Sequence, residues 1–199
     1  MRKFCFTIFI LFANLIAFSQ SSVVDSLKLV LKNAKHDTIR CNVLNDMIEN
    51  ESNDSIWPIY NIQLKEISKQ YIDNSKSVFY TFFIKHYANS LNNFGYFYMQ
   101  KGMMSSAYNY YYQALDIYQE INDKKGIALE SINLGYLFRQ DGNITKAIES
   151  YHTALKIQIE IKDKLGAATS YNNIGFIFDS QGESTKALEY YNKALDSYL

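Results

Sequence analysis

A single proline in 199 residues, Pro58, and only eight glycines leave too few turn formers for a sandwich or barrel of many short strands. Acidic and basic side chains number 20 each, so the chain carries no net field to recruit nucleic acid or a charged membrane surface. No helical pattern bears the basic stripe of a nucleic-acid reader, which argues against such a partner. Of the two cysteines, Cys5 lies in an apolar N-terminal run, so Cys41 stands alone in the mature chain and no internal disulfide is expected. In "IRCNVLNDM" it reads as a small buried hydrophobe. Catalytic signatures are missing as well: there is no G-x-S-x-G, no H-E-x-x-H and no glycine-rich phosphate loop. His36, His86 and His152 lie far apart without ligand spacing, so neither a metal site nor a cofactor is expected. Glu149, Glu160 and Glu189 fall on outward helical positions beside lysines, as solvated surface does. The chain reads as helical, neutral and not an enzyme.

The first twenty residues are of another kind. Met1-Arg2-Lys3 is a short basic start, followed by the apolar run "FCFTIFILFANLIAF" from Phe4 to Phe18. Ala17 and Ser19 fit a small-residue cleavage site, so residues 1–19 are expected to be a secretory signal cut before Gln20, with export to the periplasm or beyond. Fifteen residues broken by Asn14 are short for a ~30 Å hydrocarbon core, which needs about 20. An uncleaved membrane anchor and an N-terminal core helix are the other readings.

What the chain has in abundance is itself. "INDKKGIALESINLGYLFRQDGNITKAIESYHTALKI", Ile121 to Ile157, returns forty residues later as "IKDKLGAATSYNNIGFIFDSQGESTKALEYYNKALDS", Ile161 to Ser197. A more diverged copy precedes them. The marks fall in register: Gly95, Gly135, Gly175; Gly102, Gly142, Gly182; Ala107, Ala147, Ala187; Tyr111, Tyr151, Tyr191; and Ala114, Ala154, Ala194. A fixed period of this length signals a solenoid in which each unit buries its apolar face against its neighbours. In each unit Ala128, Ile132, Gly135 and Phe138, or their equivalents, recur at helical spacing. "QDGN" breaks the pattern, and a second helix is predicted over about Thr145 to Ile161, with Thr145 at its start. A glycine inside a helix costs about 1 kcal/mol against alanine, so Gly135 and Gly175 are expected where a partner helix comes close. Three such units fill residues 81–199. Upstream, residues 20–80 are predicted to hold a helix from Val23 to Ala34 and a degenerate first unit. In that unit two helical patterns flank a turn at Asn53-Asp54, and Trp57-Pro58 opens the second of them.

The pattern of Phe94-Gly95, Tyr98, Gly102, Ala107, Tyr111 and Ala114, repeated forty and eighty residues on, resembles the tetratricopeptide repeat. That family's usual period is about 34 residues. The longer spacing, with "NDKKGIALESINLG", resembles the forty-residue subclass of spindle-orientation scaffolds, kinesin light chains and bacterial peptide sensors. The resemblance implies an all-α fold, a right-handed superhelical solenoid of antiparallel helix pairs. It also implies an exported, non-catalytic scaffold that binds a protein or extended peptide in a concave groove lined by the first helix of each unit.

Four groove rows follow from that resemblance. Asn93, Asn133 and Asn173 precede the helical glycines, and an amide's donor and acceptor suit a peptide backbone; the subclass resembles this in using an asparagine ladder. The same amides also suit bonds to a neighbouring helix that would stiffen the stack. Beside them come Asn92, Ile132 and Asn172, then Tyr96, Tyr136 and Phe176, which read as an apolar groove floor or as ordinary core. One turn on lie Met99, Arg139 and Asp179. The lysine-and-arginine clamp of the chaperone-binding members is absent, because its positions hold Asn92, Ile132 and Asn172.

At the far end, Leu188, Tyr191, Ala194, Leu195 and Leu199 form an apolar stripe with no following helix, so a partner, self-association or a further segment is expected to cover it. Exported arrays of this look resemble the sensory regions of bacterial histidine kinases and cyclases, which gives the alternative reading of the chain as one end of a signalling protein.

Overall fold

The computed structural model describes residues 23–72 and 77–198. The apolar N-terminal run, its cleavage site and Leu199 lie outside the described residues. Among the described residues the chain forms nine helices and no strand. They are α1 (23–33), α2 (Asp37–Asn50), α3 (Trp57–Lys69), α4 (Tyr80–Gln100), α5 (Met104–Glu120), α6 (Lys124–Gln140), α7 (Ile144–Glu160), α8 (Lys164–Ser180) and α9 (Ser184–Tyr198). The chain divides into two compact units within α4, between Asn93 and Phe94.

In the first unit Cys41, Leu44, Leu64, Ile67 and Phe83 make one core cluster, and Val24, Val43 and Met47 a second. The Tyr71 ring stacks on Phe83 with centroids 3.8 Å apart. Trp57 and Pro58 open α3 as expected, the proline sitting in the first turn where its missing N–H costs no helical bond. The Trp57 indole Nε1 donates to Asp54 at 3.3 Å. Cys41 is wholly buried with its Sγ 3.7 Å from Ser68 Oγ, and burial pushes its thiol up to about 11, which makes it an inert core residue.

The second unit is a run of antiparallel helix pairs, an all-α solenoid arrangement. Each pair closes on a glycine with left-handed backbone: φ is +72° at Gly102, +74° at Gly142 and +78° at Gly182. The turn needs that conformation because two amides fold back over the helix end. At the first turn Gly102 N–H reaches Met99 C=O (3.0 Å) and Met103 N–H reaches Tyr98 C=O (2.9 Å). Between pairs the same turn is made by Asn122 and Lys162, at φ +54° and +57°. The next helix then starts on an aspartate. Asp123 accepts from the N–H groups of Lys125 and Gly126, and Asp163 from Gly166 N–H.

One expectation needs correcting here. The cap of α7 is Asn143, whose side chain accepts from Lys146 N–H, and Thr145 lies inside the first turn. Asparagine outcompetes threonine because its oxygen reaches the orphan N–H of the first turn from just outside the helix.

The repeated glycines answer to the repeated tyrosines. A Cβ built on Gly135 would stand 2.7 Å from the Tyr151 ring, and one on Gly175 would stand 2.8 Å from Tyr191; Gly95 meets Tyr111 in the same way. Ala107, Ala114, Ala147 and Ala154 are all fully buried at the same crossings. Larger rings fill the spaces between, with Tyr98 on Tyr110 (5.3 Å) and Phe178 on Tyr190 (5.5 Å) stacked. At the end of the unit Ala194 is buried, while Leu188 and Leu195 are 60% and 59% exposed.

Candidate functional site

The anticipated groove residues fall on α4, α6 and α8. Asn92 and Asn93 belong to the first unit. Asn93 Nδ2 donates to Asn61 Oδ1 at 3.0 Å, and the buried Asn61 in turn donates to the Ser90 carbonyl at 3.0 Å, so this amide fastens α4 to α3. Asn133 donates to Glu130 Oε2 at 3.4 Å and is half-buried. Asn173 is half-buried and Asn172 exposed.

The aromatic row is the best-defined part of the site. Tyr96 is 47% and Phe176 50% exposed, although each follows a fully buried helical glycine by one position. Tyr136 is half-buried, and its hydroxyl accepts from Gln140 Nε2 at 2.7 Å. Arg139 lies between two of these rings, its guanidinium carbon 5.0 Å from the Tyr136 centroid and 4.6 Å from that of Phe176. Sequence spacing placed Tyr136 and Phe176 at one repeat position and Arg139 at another, and the structure brings the arginine within cation–π distance of both rings.

Behind this row stand the tyrosines held by the glycines, and their hydroxyls end at the position one turn beyond. Tyr111 Oη donates to Met99 Sδ at 3.9 Å. Burial raises the Tyr151 pKa, while the Arg139 guanidinium beside its hydroxyl pulls it back. Tyr191 is likewise raised by burial and then by the Asp179 carboxylate. The three residues one turn past the glycines, Met99, Arg139 and Asp179, thus share one structural role with three different chemistries.

Sequence reasoning missed Glu130. It is fully buried, its Oε1 has no hydrogen-bond partner, and burial pushes its carboxyl up to about 8 against a weaker downward pull from Asn133. Burial first, and then the Glu130 carboxylate, raise the pKa of Tyr118 and Tyr111 and keep both hydroxyls neutral. The repeat register was the available signal: the counterparts of Glu130 are Ser90 and Ser170, both fully buried, and Ser170 Oγ sits 2.7 Å from the buried Gln158 amide. A lone carboxylate on a helix looks like surface until it is aligned with serines. Among the described residues no group of three or more His, Cys, Asp or Glu side chains is placed to hold a metal ion.

Comparison with known proteins gives the frame. Two tetratricopeptide-repeat sequence models match, one over residues 126–199 and one over 88–121. No curated protein matches the sequence. Among solved structures the chain is similar to BtubC (BKLC) from P. vanneervenii, with TM-score 0.54 and 14% identity over 92% of this chain and 89% of that one. It is also similar to MamA, with TM-score 0.50 and 20% identity over 88% of this chain and 86% of that one. At these identities the likeness is one of fold. With three glycine–tyrosine crossings in register and two family models over the same helices, the chain belongs to the tetratricopeptide-repeat family.

Proposed function

We propose that this chain is an exported, non-catalytic scaffold that holds an extended peptide segment of a partner protein along α4, α6 and α8. The observation that carries the reading is the exposed aromatic row of Tyr96, Tyr136 and Phe176, with Arg139 fixed between two of its rings. Large rings left half in water beside a cation are a standing surface for a peptide, because aromatic and arginine side chains dominate binding energy where they become buried. Family membership supports the interaction role, since these repeats generally mediate protein–protein contact.

Selection of random twelve-residue peptides on purified residues 20–199 tests this. Selected peptides are expected to weaken by about tenfold or more against the Tyr136→Ala/Phe176→Ala double variant, with helical circular dichroism unchanged. Undiminished binding to that variant would move the site elsewhere. The basic start and apolar run before Gln20 support export. Cell fractionation should recover a chain that begins at Gln20, and an intact Met1 terminus in the cytosolic fraction would reject export.

A further inference from the structure

The chemistry of the position that follows each glycine by one turn changes along the second unit: apolar Met99, cationic Arg139, anionic Asp179. Each stands toward a tyrosine ring seated on the preceding glycine: Met99 accepts from the Tyr111 hydroxyl, Arg139 bonds the Tyr151 hydroxyl, and Asp179 acts on Tyr191 through its charge. We propose that these three residues read the peptide's side chains in order, selecting an extended segment with an apolar residue opposite Met99, an acidic one opposite Arg139 and a basic one opposite Asp179. This rests on the peptide-scaffold reading above and adds the chemical class of the ligand.

Arg139 carries most of the argument. The Tyr136 and Phe176 rings both lie within cation–π distance of its guanidinium, 5.0 and 4.6 Å from centroid to carbon, which restricts where that group can stand. Among the described residues no carboxylate lies within ion-pair distance of it; its contacts are the Tyr136 and Phe176 rings and the Tyr151 hydroxyl. A planar, pre-oriented, unneutralised guanidinium is complementary to a carboxylate, which it takes through two parallel N–H bonds. Forty residues on, Asp179 is exposed at the equivalent place and supplies the opposite sign. The alternation excludes a uniformly acidic ligand, which Asp179 would repel, and a uniformly basic one, which Arg139 would repel.

Spacing follows from the helices. The Arg139 side chain on α6 reaches the Phe176 ring on α8, so equivalent positions on these two helices lie within one long side chain of each other, on the order of 10 Å. An extended chain advances about 3.3 Å per residue, so one repeat corresponds to about three peptide residues. The ligand therefore carries its apolar, acidic and basic side chains about three residues apart.

The test uses fluorescein-labelled peptides of one composition on the chain from Gln20 to Leu199. Leu-Ser-Thr-Glu-Ser-Thr-Lys and its reverse, Lys-Thr-Ser-Glu-Thr-Ser-Leu, present the matching order in the two chain directions. Leu-Ser-Thr-Lys-Ser-Thr-Glu presents the charges exchanged. One matching peptide is expected to bind at least about tenfold tighter than the exchanged one, the size of one good charge-assisted contact. The Arg139→Glu/Asp179→Lys variant should reverse that preference. Asp179→Lys alone, at an exposed position, should cost the matching peptide affinity even if the double variant folds poorly. If all peptides bind equally, or the preference survives the exchange, the charge order is wrong while the scaffold reading stands. If none binds, both fall.

Discussion

Glu130→Gln should stabilise the fold by about 3 kcal/mol at pH 9 and change it little at pH 5. The carboxyl is fully buried with one oxygen unpartnered, and burial raises its pKa from the ordinary 4.5 to about 8. An acid whose pKa is raised by folding binds more protons folded than unfolded between those two values, so stability falls as pH rises from about 4.5 to about 8. Below that window both states are protonated and nothing is lost; above it the loss is complete. The interval corresponds to roughly 4–5 kcal/mol, and relaxation around the buried charge brings the expected gain down to about 3. Glutamine keeps the oxygen that Asn133 donates to and cannot ionise. Urea denaturation of both proteins at pH 5 and pH 9 checks this, because every other titrating group cancels in the comparison. Parallel stabilities at the two values would mean that Glu130 reaches water in solution and titrates as an ordinary surface acid.

The same residue marks where sequence reading stopped. Helices, turns and the glycine–tyrosine register were legible because each is dictated by a local rule repeated three times: small residues at crossings, left-handed glycines at the turns, alanines facing inward. Gly135 and Gly175 were expected at close contacts, and they are; what meets them is a tyrosine ring from the following helix. Asn143 and Thr145 both suit a helix start, and only backbone geometry separates positions two apart. The groove rows were legible as rows, but their chemistry was not. Nothing in spacing says that Arg139 lies between rings from two different helices, since that contact depends on how far α6 and α8 are offset along their axes. Asn93 shows the same limit from the other side. Its amide, equally suited to a peptide or to a neighbouring helix, is held by Asn61, which lies in a stretch where the repeat pattern is too diverged to read.

The glycine–tyrosine crossing should prove to be one energetic unit. Tyr151→Ala removes a ring that is 1% exposed and is expected to cost about 3–5 kcal/mol, in the range of large buried aromatics. Gly135→Ala on the parent is expected to cost about 1–3 kcal/mol. Its methyl would sit 2.7–3.1 Å from three ring carbons of Tyr151, and a fully buried ring cannot swing away as the end of a flexible chain would. That cost outweighs the roughly 1 kcal/mol that alanine gains over glycine in a helix interior. With the ring gone the balance reverses: in the Tyr151→Ala background the same Gly135→Ala change should stabilise by about 1 kcal/mol, its methyl entering the vacated space. A double-mutant cycle by urea denaturation measures the coupling, expected at about 2–4 kcal/mol. If Gly135→Ala stabilises the parent chain as well, the ring does not press on the glycine, and the register of glycine and tyrosine reflects something other than close approach. If the coupling is found, the crossing sets the height of the Tyr151 hydroxyl, and with it the place where Arg139 stands between its two rings.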